Sequence, residues 1–441
     1  MDGDRIKRYR TLIKSRFADT GVIEILFLLY FCIFYGHART GFNFSYFTDF
    51  YFMIDIKQGL ILVILIITAV LIIIDVLKKK LEFKRYIFFV WYAVFFAYCC
   101  LSLIWTMDSD LSKLWLDGML PNVGMLLAVV HYVNSRERFY RLIKLQLIAI
   151  FYMCVRLLIL MPERHLFGRG RTEVYIWEIS GFHYNGLAIP LTAGIILTVF
   201  FYIKNKKPLV LFLAPLFYLT IIIGGSRQGV VIPIVGLFVI FALLNGIKGI
   251  RRTIITSAVI VILFILFINS GLPGADRMSA LVKGFIGNTA EAGFSFNERV
   301  FQRGLAAEMF LQKPILGWGI YSFTAKLIEI EHHTIFAYCH NTYLELLSCL
   351  GIIGFVIYYS IYAGILFKAF KLFKTLNIYV IFALAACIVL LLFEYATVMF
   401  YPIHGLTGTT FLFYAYYSLK LADNKKDLKC QEEKVSQPDG S

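Results

Sequence analysis

An all-α polytopic membrane protein with about twelve transmembrane helices is the fold class that this sequence predicts, on three observations. Of 441 residues, 59% are hydrophobic and 17% aromatic, more apolar surface than a water-soluble core of this size encloses. Apolar runs of spanning length recur without the alternation of barrel strands. In lipid every backbone polar group must be paired within the membrane, which a helix does by itself. The third observation is the placing of charge. Lysine and arginine gather in short clusters between the apolar runs, at residues 5–16, 78–85, 136–144, 204–207, 248–252, 368–374 and 420–429. Two spans separate each cluster from the next, which places the clusters and both termini in the cytoplasm by the positive-inside rule.

The net charge of +15 is therefore a topology signal, and it excludes a nucleic-acid partner as its explanation. The expected spans cover residues 22–36, 59–77, 86–106, 115–133, 145–161, 185–203, 208–223, 229–247, 253–271, 341–367, 378–395 and 403–421. The first follows a basic head without a small-residue cleavage site, so it doubles as an uncleaved signal. Residues 1–441 form one integral membrane unit, with a large outer loop at 272–340 and a polar cytoplasmic tail at 422–441 read as disordered. Between the seventh and eighth spans, Gly224-Gly-Ser-Arg-Gln-Gly229 makes a tight outer turn. In the large loop, 297–312 has apolar residues at helical spacing and reads as an amphipathic helix on the membrane face. Lys313-Pro-Ile-Leu-Gly-Trp-Gly319 then ends it.

The cysteines form no legible disulfide framework, since all but two of the eight lie in apolar spans. His332, His333 and His340 lack the spacing of a metal site, so no metal or other cofactor is expected.

The residues that carry chemistry stand on the outer side. His340 ends the longest polar segment, and an apolar helix follows at once with Asn341, Tyr343 and Glu345 in its first turns. His340 and Asn341 serve either chemistry or simple helix capping. Arg227 lies between two apolar helices and Arg156 within a span. Each reads as a functional cation, a structural ion pair or a side chain snorkelling to the interface. Arg299 and Arg303, four residues apart, share one face of the loop helix. With Arg227 they suit a diphosphate, because guanidinium binds phosphate oxygens bidentately; an anionic-lipid contact is the alternative. Trp318, Tyr321, Tyr338 and Tyr343 are either sugar platforms or interfacial anchors.

Three motifs in order, Gly-Gly-Ser-Arg-Gln-Gly, then Asn-Glu-Arg through Lys-Pro-Ile-Leu-Gly-Trp-Gly-Ile-Tyr-Ser-Phe, then His-Asn-Thr-Tyr-Leu-Glu-Leu-Leu through Gly-Ile-Ile-Gly, carry a resemblance. Over about 185–355 the chain resembles the O-antigen ligase/polymerase superfamily: Wzy-type polysaccharide polymerases, WaaL-type ligases and protein O-oligosaccharyltransferases. The resemblance implies a GT-C-type glycosyltransferase of the bacterial inner membrane, with its active face in the periplasm. The donor would be an undecaprenyl-diphosphate-linked glycan and the acceptor a hydroxyl of another lipid-linked repeat unit, with membrane lipids and a chain-length regulator protein as further partners. By motif position, Arg227 and Arg299 hold the donor diphosphate and His340 acts on the acceptor. Arg303 stands where such proteins often have Trp, and Arg171 and Asn185 match a looser region of glycan contacts. The motifs look more like a polymerase, for O-antigen or capsule, than a ligase acting on lipid A core. A transporter of the same lipid-linked sugars is the reading from another class. It would call for internal repeats and polar residues near the bilayer midplane, and no repeat is visible.

Overall fold

The structure, a computed structural model, describes residues 21–36, 48–161, 176, 179–180, 182–270, 279, 294–331, 338–375 and 377–435. Among them it has thirteen α-helices and no strand. In order these are α1 Gly21–Gly36, α2 Thr48–Leu77, α3 Ile87–Leu101, α4 Ser109–Tyr132, α5 Arg136–Leu160, α6 Tyr184–Asn205 and α7 Leu213–Gly224. They continue with α8 Arg227–Ile268, α9 Phe294–Gln312, α10 Ser322–Glu331, α11 Thr342–Lys371, α12 Ile378–Ala396 and α13 Pro402–Val435.

Among the described residues eight helices are long and apolar enough to cross a membrane, and two shorter apolar stretches, Gly21–Tyr35 and Pro208–Gly224, join them. Each of the twelve expected spans coincides with helix. Side chains short enough to bond their own backbone start several of them. Asp108 accepts from the N–H groups of Asp110 and Leu111, Ser135 from Arg138, and Asn377 from Tyr379 and Val380. The lipid face is plain on α2, where Leu62, Ile66, Val70, Ile73 and Leu77 recur at helical spacing and are half or more exposed. At the centre stands α6, with 89% of its apolar window buried against 17% for the span in α2. Around it pack α5, α7, α8, α12 and α13.

One expectation is corrected. The spans at 229–247 and 253–271 were to form a hairpin about the basic cluster 248–252, but α8 is a single helix of 42 residues, about 63 Å long. No proline stands at 248–252, and the helix ends only where Asn269, Gly271 and Pro273 supply stop signals. Within 272–340, α9 agrees with the helix expected at 297–312, whereas α10 was not anticipated. The last described helix, α13, extends to Val435, so it covers much of the stretch read as tail.

Candidate active site

The site is built on a break in α11. Gly351 has φ 62° and ψ −168°, a conformation open essentially to glycine alone. Such a break frees helix carbonyls and N–H groups, and inside a membrane these need partners. The segment between α9 and α10 supplies them. The carbonyls of Ser348 and Cys349 accept from the N–H groups of Trp318 and Gly319 at 3.0 and 2.7 Å, while Ile352 and Ile353 donate to the carbonyls of Pro314 and Ile315 at 2.9 and 3.3 Å. The Tyr98 hydroxyl donates to the Leu350 carbonyl at 3.2 Å. Gly317 and Gly351 make the approach sterically open: a Cβ on Gly317 would lie 2.4 Å from the Cys349 carbonyl, and one on Gly351 2.3 Å from that of Ile315. The stretch Lys313–Gly319 therefore does more than end a helix. It threads into the gap in α11 and ties α9 and α10 to the bundle.

The loop is fastened a second time. The Ile320 carbonyl accepts from the hydroxyls of Thr106 and Ser112 at 3.0 and 2.7 Å, and its N–H donates to Ser102 Oγ at 3.0 Å. These contacts fix α9 over the start of α11.

His340 sits at that start, two residues before the helix, with a left-handed φ of 53°. Its neighbours hold this conformation. The Cys339 N–H donates to Glu345 Oε2 at 2.8 Å, and the other oxygen of this buried carboxylate accepts from the Tyr401 hydroxyl. The Asn341 side chain caps α11 by accepting from the Leu344 N–H at 3.0 Å, and its amide donates to the Tyr395 carbonyl at 3.2 Å. Capping is thus the work of Asn341, which leaves the His340 ring unused for that purpose. Arg303 donates to the carbonyls of His340 and Tyr395 at 3.2 and 3.0 Å, with its guanidinium 4.8 Å from the centre of the Tyr395 ring. On the other side the Tyr338 ring lies 4.2 Å from the imidazole.

Electrostatics favours a neutral imidazole. Burial comes first among the causes, followed by the charges of Arg299, His183, Arg303 and His404; together they hold the His340 pKa well below its ordinary value. The imidazole Nδ1 and the Arg299 Nε are both buried, and among the described residues neither has a hydrogen-bond partner. A base kept unprotonated beside an underused guanidinium can accept a proton while the cation holds an anion.

Arg227 opens α8 and is half-buried. The preceding Ser226 donates to Asn185 Oδ1 at 3.0 Å, and the Gln228 amide reaches the Asn185 carbonyl at 3.4 Å. Asn185 leads on to Gly186, against which the His404 ring packs. The turn at 225–228, the start of α6, the start of α13 and the start of α11 therefore meet at one end of the bundle. Other expected residues are committed to helix packing. Arg156 donates to the Ile179 carbonyl at 2.5 Å, and the Tyr343 hydroxyl donates to the Leu391 carbonyl at 2.9 Å while its ring stacks on Tyr359. Arg171, His332 and His333 lie outside the described residues. Among the described residues no cluster of His, Cys, Asp and Glu could hold a metal ion.

Sequence reasoning passed over His183 and His404. Both are titratable residues at the start of a helix, as His340 is. His183 caps α6, its Nδ1 accepting from the Asn185 N–H at 3.5 Å.

Residues 209–359 match the family model described as O-antigen ligase. The matched stretch holds Arg227, Arg299, Arg303, His340, Glu345 and both glycines of the interlock. No curated protein matches the chain.

Proposed function

We propose, from the match of residues 209–359 to the O-antigen ligase family model, that the chain is a member of the O-antigen ligase/polymerase superfamily and transfers a glycan from an undecaprenyl-diphosphate carrier to a sugar hydroxyl. His340 takes the hydroxyl proton as the oxygen attacks the anomeric carbon. The bond from that carbon to the diphosphate oxygen breaks, and the lipid diphosphate leaves with the electron pair. Arg299 and Arg227 hold the departing charge, which needs no metal when the cations are preorganised. Attack from the face opposite the leaving group inverts the anomeric centre. Arg303 serves by holding the His340 and Tyr395 carbonyls.

The observation that carries this reading is that a buried imidazole nitrogen of His340 and a buried guanidinium nitrogen of Arg299, neither with a hydrogen-bond partner among the described residues, lie within electrostatic reach of each other at one end of the bundle. Within the superfamily we favour a repeat-unit polymerase on the Ser226-Arg-Gln-Gly turn and the His340-Asn-Thr-Tyr-Leu-Glu start. The purified protein is to be incubated with a lipid-diphosphate repeat unit, without any gradient. Chain growth supports polymerase, growth only when lipid A core is added supports ligase, and neither product rejects transfer. Arg299→Lys keeps the charge but loses the planar fork, and should strongly reduce product at normal membrane expression. Wild-type rates in that variant would remove Arg299 from the diphosphate site.

The same reading places this end of the bundle in the periplasm of the inner membrane, with both termini cytoplasmic. A cysteine introduced at exposed Leu311 should react with an impermeant maleimide added to intact spheroplasts. Reaction only after lysis would invert the proposed topology.

A further inference from the structure

At the opposite end of the bundle, where α5 begins and α6 ends, lies a cavity of about 260 Å³. Its lining includes Glu137, Tyr140, Arg141, Lys144, Phe201 and Lys207. We infer that it binds the phosphate headgroup of an anionic phospholipid.

The charges around this cavity are not all matched from within the chain. Arg141 is satisfied by Glu24 and Glu137, at 3.1 and 2.5 Å. Lys144 and Lys207 have no such carboxylate among the described residues. The Lys144 ammonium stands 5.7 Å from the centre of the buried Phe201 ring. Next to lining residues in the chain, the Arg136 guanidinium lies 5.7 Å from the Tyr140 ring centre, and the Lys204 ammonium 5.1 Å from that of Tyr379. The two tyrosine hydroxyls are bonded to each other at 2.8 Å, so neither needs a partner from a ligand. Cations at the rim over an aromatic floor suit a ligand with a charged head and an apolar body.

Position selects the lipid over a soluble anion. The cavity sits at the ends of two candidate spans, Arg136–Leu160 and Tyr184–Asn205, the level at which headgroups lie. Its volume falls below the roughly 300 Å³ at which pockets begin to enclose a drug-sized molecule, and a phosphate with its glycerol needs less. The site is at the other end of the helices from His340, so it is separate from the proposed transfer chemistry.

The full chain, purified in a neutral detergent, tests this by native mass spectrometry and by thermal unfolding. Phosphatidylglycerol should give a retained adduct and a higher unfolding midpoint, whereas phosphatidylcholine should give neither. In K144Q/K207Q most of the adduct and of the shift should be lost, while the lipid-free midpoint and the gel-filtration profile stay as in the wild type. Lys144→Gln and Lys207→Gln, made singly, should each weaken the response, and they stand in if the double variant misfolds. An undiminished phosphatidylglycerol response in these variants, an equal response to phosphatidylcholine, or the same shift with inorganic phosphate alone would each overturn the assignment.

Discussion

Turnover by His340→Ala should be lower than wild type by roughly 10²–10⁴, the usual cost of losing a positioned acid–base group, with donor binding largely kept. His340→Gln is the sharper variant, because it retains a hydrogen-bonding side chain and removes basicity. If it keeps most of the turnover, His340 positions the acceptor and does not take its proton. The pH profile gives an independent reading. Burial, then Arg299, His183, Arg303 and His404, push the His340 pKa well below 6.5, so the active neutral form predominates throughout the neutral range. The rate should be flat from about pH 8 down to about pH 6.5 and fall only in more acid solution. A rise through pH 6.5–7 of the kind an ordinary imidazole gives would count against this environment. Stability follows the same sign. The unfolded chain binds a proton at the ordinary pKa and the folded one does not, so stability falls as pH drops below about 6.5. His340→Gln should flatten that fall.

Gly351→Ala is expected to have the largest effect on folding. Its Cβ would meet the Ile315 carbonyl oxygen at 2.3 Å and the Gly317 nitrogen at 2.7 Å, and the backbone conformation is closed to alanine as well. Strain of this kind costs about 1–3 kcal/mol before any overlap is counted, and the atoms in the way are backbone with nowhere to move. The loop would have to withdraw from the helix, leaving four backbone hydrogen bonds of the interlock unmade. Membrane-level yield and the thermal midpoint in detergent should both collapse. Gly364→Ala on the same helix is the control, since a Cβ there meets nothing within 4 Å and alanine favours a helix. A normal midpoint for Gly351→Ala would mean that 314–319 and α11 are not joined as described.

How much of this was open to a reader of the sequence follows from the range of each interaction. Hydropathy is local, and the helices lie where apolar runs put them, from α2 to α12. The positions of His340 and Arg299 were legible because a charge beside an apolar run is conspicuous in a short window. The interlock was not, for it pairs 314–319 with 348–353, and nothing in either stretch names the other. Both looked like ordinary turn or helix glycines. Tyr343 and Glu345 seemed to face the site because they follow His340 closely. A helix turns them inward, and they are engaged with Leu391 and with Tyr401 and Cys339. The continuity of α8 was missed for a different reason, since a basic cluster signals a membrane surface but does not oblige the helix to stop.

The polar lining of α13 bears on how the protein is made. This helix is not among the long apolar candidates, yet from Pro402 to Leu419 it is buried almost throughout, including Thr407, Thr409, Thr410 and Ser418. Bare lipid would be a poor solvent for those hydroxyls, whereas Thr409 finds the Gly405 carbonyl at 2.6 Å and the helix is wrapped by α4, α6 and α12. The helices that wrap α13 all precede it in the chain, so it meets them already in place, and their packed surface takes the role that hydrocarbon plays for the others. Insertion of α13 therefore depends on the helices before it: chains with a loosened bundle should stall with this segment uninserted, exposed to the proteases that clear unfinished membrane proteins.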